Sequence, residues 1–90
     1  MSGKVCMITG ANSGIGKAAA LGLARLGATV IMVCRDSHRG ERARAEITGQ
    51  SGNGSVELMI CDLSSQGSIH RLAEEFKQRH QRLHVLVNNA

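Results

Sequence analysis

The sequence predicts an α/β protein built on a doubly wound parallel sheet, and three observations predict it. Four apolar runs, at residues 5–8, 29–34, 56–61 and 83–87, are too short for helices, are bounded by turn residues and are largely continuous rather than alternating. That is the pattern of strands buried on both faces. The stretches between the runs carry helical spacing, so strand and helix alternate in the order β-α-β-α-β-α-β. Finally, a glycine-rich turn, Thr9-Gly10-Ala11-Asn12-Ser13-Gly14-Ile15-Gly16, joins the first run to the first helix.

Each element has its own justification. The first strand, Val5-Cys6-Met7-Ile8, runs directly into the turn. The helix that follows is expected to bury a face made by Ile15, Ala19, Leu23 and Leu26, with Gly22 permitting close approach and Gly27 as its C-terminal stop. After the second strand comes a weaker helix over about residues 37–48, whose chief apolar contacts are Ala43 and Ile47 and for which Asp36 is a natural N-cap. Residues 49–55, Gly-Gln-Ser-Gly-Asn-Gly-Ser, read as a flexible connector and not as a domain linker. Beyond the third strand, Ser64 and Ser65 are cap candidates for a helix with Ile69, Leu72, Ala73 and Phe76 at i, i+3, i+4 and i+7, followed by a charged tail. The fourth strand ends in Val87-Asn88-Asn89-Ala90. No repeat appears beyond this rhythm, and 90 residues amount to one compact unit at most.

A strand feeding a helix through a glycine-rich turn aims the helix's unpaired N–H groups and positive dipole end at one spot, which a pyrophosphate usually fills. The signature therefore predicts a Rossmann-type dinucleotide site. Gly10 allows the tight turn, Gly14 lets the backbone approach the diphosphate, and Gly16 lets the helix pack close to the sheet. Three residues, not one, separate the first two glycines. In this T-G-x-x-x-G-I-G form the chain resembles the short-chain dehydrogenase/reductase family. Three further stretches agree in order and spacing: Val33-Cys34-Arg35-Asp36, Cys61-Asp62-Leu63 and Val87-Asn88-Asn89-Ala90. Arg39-Gly40-Glu41 after Val-Cys-Arg-Asp resembles the retinol-dehydrogenase-like branch. The implied strand order is 3-2-1-4, with the ligand crevice where the order reverses and all four stretches at the carboxyl ends of the strands.

The end of the second strand decides which dinucleotide fits. An acid there binds the adenosine ribose hydroxyls and repels a 2′-phosphate, whereas an arginine accepts the phosphate through charge-assisted bonds. Aligned on the family pattern, Cys34 stands in the acidic position and Arg35 follows it, which favours NADP(H) over NAD(H). Asp36 lies at about the spacing of a ribose-binding acid, but it is equally placed to cap the next helix. Many NADP-preferring relatives carry a second cation just before the middle glycine, and here that position is Ser13. Asn12 and Ser13 can bond diphosphate or ribose oxygens or merely stabilise the turn. Lys17 and Arg42 read as solvated helix positions. The resemblance implies that Asp62 and Leu63 line the adenine, with a cap for the third helix as the competing role of Asp62. It also implies that one asparagine holds the central strand end while Asn89 and Ala90 run beside the cofactor. Ile15 completes the expected cofactor-binding set with Gly10, Gly14, Gly16 and Arg35.

Eleven Lys and Arg against seven Asp and Glu give a net charge of +4 with neutral histidines, too modest and scattered to suggest nucleic acid. Phe76 is the sole Phe, Tyr or Trp, so there is no stacking platform for bases either. Three cysteines, Cys6, Cys34 and Cys61, sit in or at the end of apolar runs without metal spacing, which argues against a disulfide framework or a zinc site and for a reducing compartment. The histidines lack ligand spacing too. The first core strand begins by Val5, no apolar stretch is long enough to span a membrane, and a cytoplasmic location is expected. Membrane association through a further C-terminal part stays open.

The resemblance implies an NADP(H)-dependent carbonyl reductase or alcohol dehydrogenase acting on a small apolar alcohol or carbonyl compound, retinol- or lipid-like, and homo-oligomeric when full length. The family carries its acid/base residues in a Ser and a Tyr-x-x-x-Lys beyond the Asn-Asn-Ala stretch. This chain has no tyrosine. Residues 1–90 are thus expected to be the NADP(H)-binding N-terminal portion, with no catalytic residues and no activity alone. The alternative is a non-catalytic NADP(H)-binding module or an inactive truncated isoform.

Overall fold

The computed structural model describes residues 1–12 and 14–89. The chain runs β1 (Val5–Thr9), α1 (Gly14–Arg25), β2 (Thr29–Cys34), α2 (Ser37–Ser51), β3 (Val56–Ile60), α3 (Gln66–Arg79) and β4 (Val85–Val87). The four strands form one parallel sheet in the order β3-β2-β1-β4. Strand order therefore reverses at β1, which has β2 on one side and β4 on the other. The doubly wound arrangement expected from the sequence is the one observed.

Strand side chains alternate between faces, and here both faces are apolar. Cys6, Ile8, Val30, Met32, Cys34 and Val56 join Ala20, Ala24, Ala43 and Ile47 of α1 and α2 in one core cluster. Met7, Ile31, Val33, Met59 and Cys61 project the other way and meet Leu72, with Phe76 of α3 packed alongside. Five of the central strand positions, Cys6, Ile8, Val30, Ile31 and Met32, retain no accessible surface. Burying a side chain of this kind stabilises the fold by roughly 1.5–3 kcal/mol.

Several local expectations need correction. The buried stripe of α1 is Gly16, Ala20 and Ala24, whereas Ile15 is 78% exposed. Small residues let the helix lie close to the sheet, and a bulkier Ile15 stripe would hold it off. Gly22 is not a point of close approach, because a Cβ there meets open space. The connector is likewise fastened, not loose. Asn53 Nδ2 donates to the carbonyls of Ala24 (3.0 Å) and Ala28 (2.7 Å), while its Oδ1 accepts from Ser55 N (2.8 Å). The amide thereby ties the end of α1 and the residue just before β2 to the connector. At β4, His84 Nδ1 accepts the Val5 N–H (2.9 Å) and His84 N donates to Val5 O (2.9 Å), so a side chain takes one ladder position and the strand begins at Val85.

Two helix starts match the expected chemistry. Asp36 caps α2, its Oδ1 accepting from His38 N (2.9 Å) and Arg39 N (3.2 Å). Ser65 caps α3 through Ser68 N (3.2 Å). No helix among the described residues is long and apolar enough to cross a membrane.

Candidate functional site

The carboxyl ends of β1, β2 and β3 open into a hollow of about 290 Å³ lined by Gly10, Asn12, Val33, Cys34, Arg35, Cys61, Asp62, Leu63 and Ser64. The topology puts it there. Parallel strands bring all their carboxyl ends to one edge, and the reversal of order at β1 sends the crossover helices to opposite faces, leaving a crevice between them.

The glycine turn forms one wall. Gly10 (φ 62°) and Gly14 (φ 58°) are left-handed, a conformation costly for a side chain, and a Cβ on Gly14 would project into empty space in front of the first turn of α1. Gly16 answers a different demand. A Cβ there would lie 2.3 Å from Gly10 O and 2.7 Å from Asn89 Nδ2, so only glycine lets the turn fold back over its own helix. This arrangement fits a phosphate group: backbone at a helix start, with open space at Gly14 among the described residues.

β4 holds the turn from below. Thr9 Oγ1 accepts from Asn89 N (2.9 Å) and donates to Asn88 Oδ1 (3.2 Å), with Val87 O at 3.4 Å, while Asn89 Nδ2 rests 3.5 Å from Gly10 O. Asn89 thus supports the glycine turn through its side chain, a contact across almost the whole chain.

On the opposite wall, Arg35 is exposed at the end of β2 and makes no ion pair among the described residues. Asp36, beside it, is turned into α2 by its capping bonds, and the backbone N–H of Arg39 holds its carboxyl below the usual carboxylate range. Cys34 is buried, which pushes its thiol upward against the opposing N–H bonds of Ala11 and Asn12. An acid at position 34 would meet those same two N–H groups. Asp62 is not the cap of α3. Its Oδ1 accepts from Ser64 Oγ (2.7 Å) and Ser64 N (3.0 Å), and Oδ2 has no partner among the described residues. The Ser64 hydroxyl first, then its N–H, hold the Asp62 carboxyl below its ordinary value, with Arg35 adding a smaller pull.

The hollow therefore brings together Gly10, Asn12, Arg35, Asp62 and Leu63 of the residues selected from the sequence. Gly14, Ile15 and Gly16 open α1 and do not line the hollow, and the Asn89 side chain rests against Gly10 O. Ser13 and Ala90 lie outside the described residues. Sequence reading passed over a second hollow of about 280 Å³ on the far side of Asn12, lined by Lys17, Arg39, Arg42, Ala43 and Glu46. The clustering of arginines at 35–44 was its only signal, since the Lys17–Glu46 ion pair spans two helices. No group of His, Cys, Asp and Glu among the described residues is arranged to hold a metal ion.

Comparison with known proteins agrees with this architecture. Residues 4–90 match the short chain dehydrogenase family. Dehydrogenase/reductase SDR family member 12 of Homo sapiens is 53% identical over 88 residues, covering 98% of this chain and 27% of that protein. Retinol dehydrogenase 12 of Mus musculus is 49% identical over 88 residues, covering 98% and 28%. The chain thus spans about a quarter of the length of these curated relatives. A metagenomic short-chain oxidoreductase solved in complex with NADP superposes with a TM-score of 0.91 at 40% identity, covering 100% of this chain and 40% of that one. The Pseudomonas aeruginosa RhlG/NADP complex superposes at 0.89 with 33% identity, covering 100% and 35%.

Proposed function

This chain belongs to the short chain dehydrogenase family, and from that premise we propose that its residues 1–90 form the NADP(H)-binding portion of a dehydrogenase or reductase. The observation that carries the reading is the pairing at the end of β2: a cationic Arg35 without an ion-pair partner among the described residues, beside a buried Cys34 where a ribose-binding acid would stand. An arginine there offers a 2′-phosphate charge-assisted, bidentate bonds, and no carboxylate at position 34 repels it. The diphosphate belongs against Gly14, Ile15 and Gly16 at the start of α1, with Asn12 and Ser13 beside it. Asp62 Oδ2 is free to accept from the adenine amine, and Leu63 supplies an apolar contact at the same wall. Asn89 steadies the turn, and on this reading it and Ala90 serve the nicotinamide ribose.

When bound, the nicotinamide exchanges hydride with a substrate carbon. The named residues bind and orient that cofactor, and none of them moves a proton in the reaction. Similarity to retinol dehydrogenases supports an apolar, retinol-like alcohol or carbonyl substrate for the whole protein. Three buried, free cysteines support a reducing, cytoplasmic setting.

Calorimetric titration with both cofactors tests the reading. Arg35→Ala is expected to weaken NADPH binding by about ten- to a hundredfold, the worth of a hydrogen bond to a charged group, and to leave NADH unchanged. Equal losses for the two cofactors would overturn it and return the ribose to Asp36.

A further inference from the structure

The second hollow adjoins the first through Asn12, which lines both. Three cations, Lys17, Arg39 and Arg42, face it, yet one anion stands among them. Glu46 Oε2 engages Lys17 Nζ, joining the first turn of α1 to the third turn of α2. Arg39, beside the cap of α2, is a loose partner of Asp36, with Nε and Oδ2 4.0 Å apart and its side chain 75% exposed. Lys17 is thus the committed cation of the group and Arg39 the available one.

We propose that Glu46 sets the strength of NADP(H) binding by holding Lys17 away from the 2′-phosphate, so that the carboxylate competes with the cofactor for one ammonium group. The inference rests on the reading of Arg35 as the phosphate-binding arginine, since that places the phosphate next to Asn12. A dianionic phosphate entering the shared wall meets Arg35 and Arg39 directly. It gains Lys17 only if the ammonium leaves Glu46. Arg42 lies close enough to Glu46 to add to the Lys17 pull that keeps its carboxyl ionised, so the competition persists throughout the neutral range. NADH, lacking the phosphate, is indifferent to all of this. The device limits retention of the phosphorylated cofactor without touching the diphosphate cradle.

The test is titration of the protein with NADPH and with NADH in four forms: unaltered, Glu46→Gln, Lys17→Met and both together. An exposed ion pair is worth under about 1 kcal/mol, so Glu46→Gln is expected to tighten NADPH binding about two- to fivefold and to leave NADH unchanged. The gain disappears in the double variant. Lys17→Met, which breaks the same helix-to-helix pair without freeing a cation, serves as the structural control and shows no gain. Unchanged NADPH affinity in Glu46→Gln, or a gain that survives in the double variant, overturns the proposal. Failure of the underlying reading looks different: unaltered protein binding NADPH no more tightly than NADH removes the 2′-phosphate itself, and this inference with it.

Discussion

On the face of the sheet covered by α1 and α2, Gly16, Ala20, Ala24, Ala43 and Ile47 lie buried against Ile8, Val30 and Met32. On the other face α3 buries only Ser68 and Leu72, leaving Ile69 42% exposed over a hollow of about 250 Å³ that Met7, Phe76 and Leu83 also line. The helices differ in what they present. α1 offers a stripe of glycine and alanine and approaches the strands closely. α3 offers branched and aromatic side chains at similar spacing and stands off. The tight face carries the glycine turn, whose backbone must sit within bonding distance of β4 and, on the proposed reading, of a diphosphate. Close packing is therefore a requirement of the site, not only of the core.

Substitutions can break that comparison or sharpen it. The largest effect is expected from Gly16→Val, which forces carbon atoms onto the backbone oxygen of Gly10 with no flexible neighbour to yield. A loss above about 3 kcal/mol in denaturant unfolding, or failure to fold, is the expected outcome. A tolerated valine would mean that the turn and helix have room to part. Next come truncations on the two faces. Ile47→Ala, from a site 1% exposed, should cost about 3–4 kcal/mol, and Leu72→Ala, 8% exposed beside the hollow, about 2 kcal/mol. Equal costs would erase the difference between the faces. The smallest effect belongs to the fastening of α1. Asn53→Ala removes two bonds to the Ala24 and Ala28 carbonyls and should lower stability by about 1–2 kcal/mol, read as a shift in the midpoint of chemical unfolding.

What could be read in the sequence divides along the same lines of distance. Asp36 and Ser65 were legible as caps because a cap bonds to residues two or three positions away. The strand order followed from the alternation of elements and the glycine signature, and the hollow at the strand ends followed from the order. Ile15 was misplaced because helical spacing alone cannot say which of two stripes faces the sheet, and alanines register weakly beside leucine and isoleucine. Asn53 was invisible as a clasp, since its partners lie 25 and 29 residues away and its neighbours are the glycines and serines of an ordinary loop. Lys17 looked solvated for the same reason: its partner, Glu46, sits on another helix.

The support that Thr9 and Asn89 give the glycine turn also has a consequence in time. β1 and β2 meet across a single βαβ unit, while the bond from Asn89 N to Thr9 Oγ1 closes a separation of 80 residues. Loop closure of that length comes after local pairing, because its entropy must be met before the contact forms. The turn is thus drafted early, from neighbouring residues, and braced later, when β4 docks. During synthesis the cradle has its shape before it has its support, and a nucleotide that needs a rigid cradle has to wait for nearly the whole of this chain to emerge.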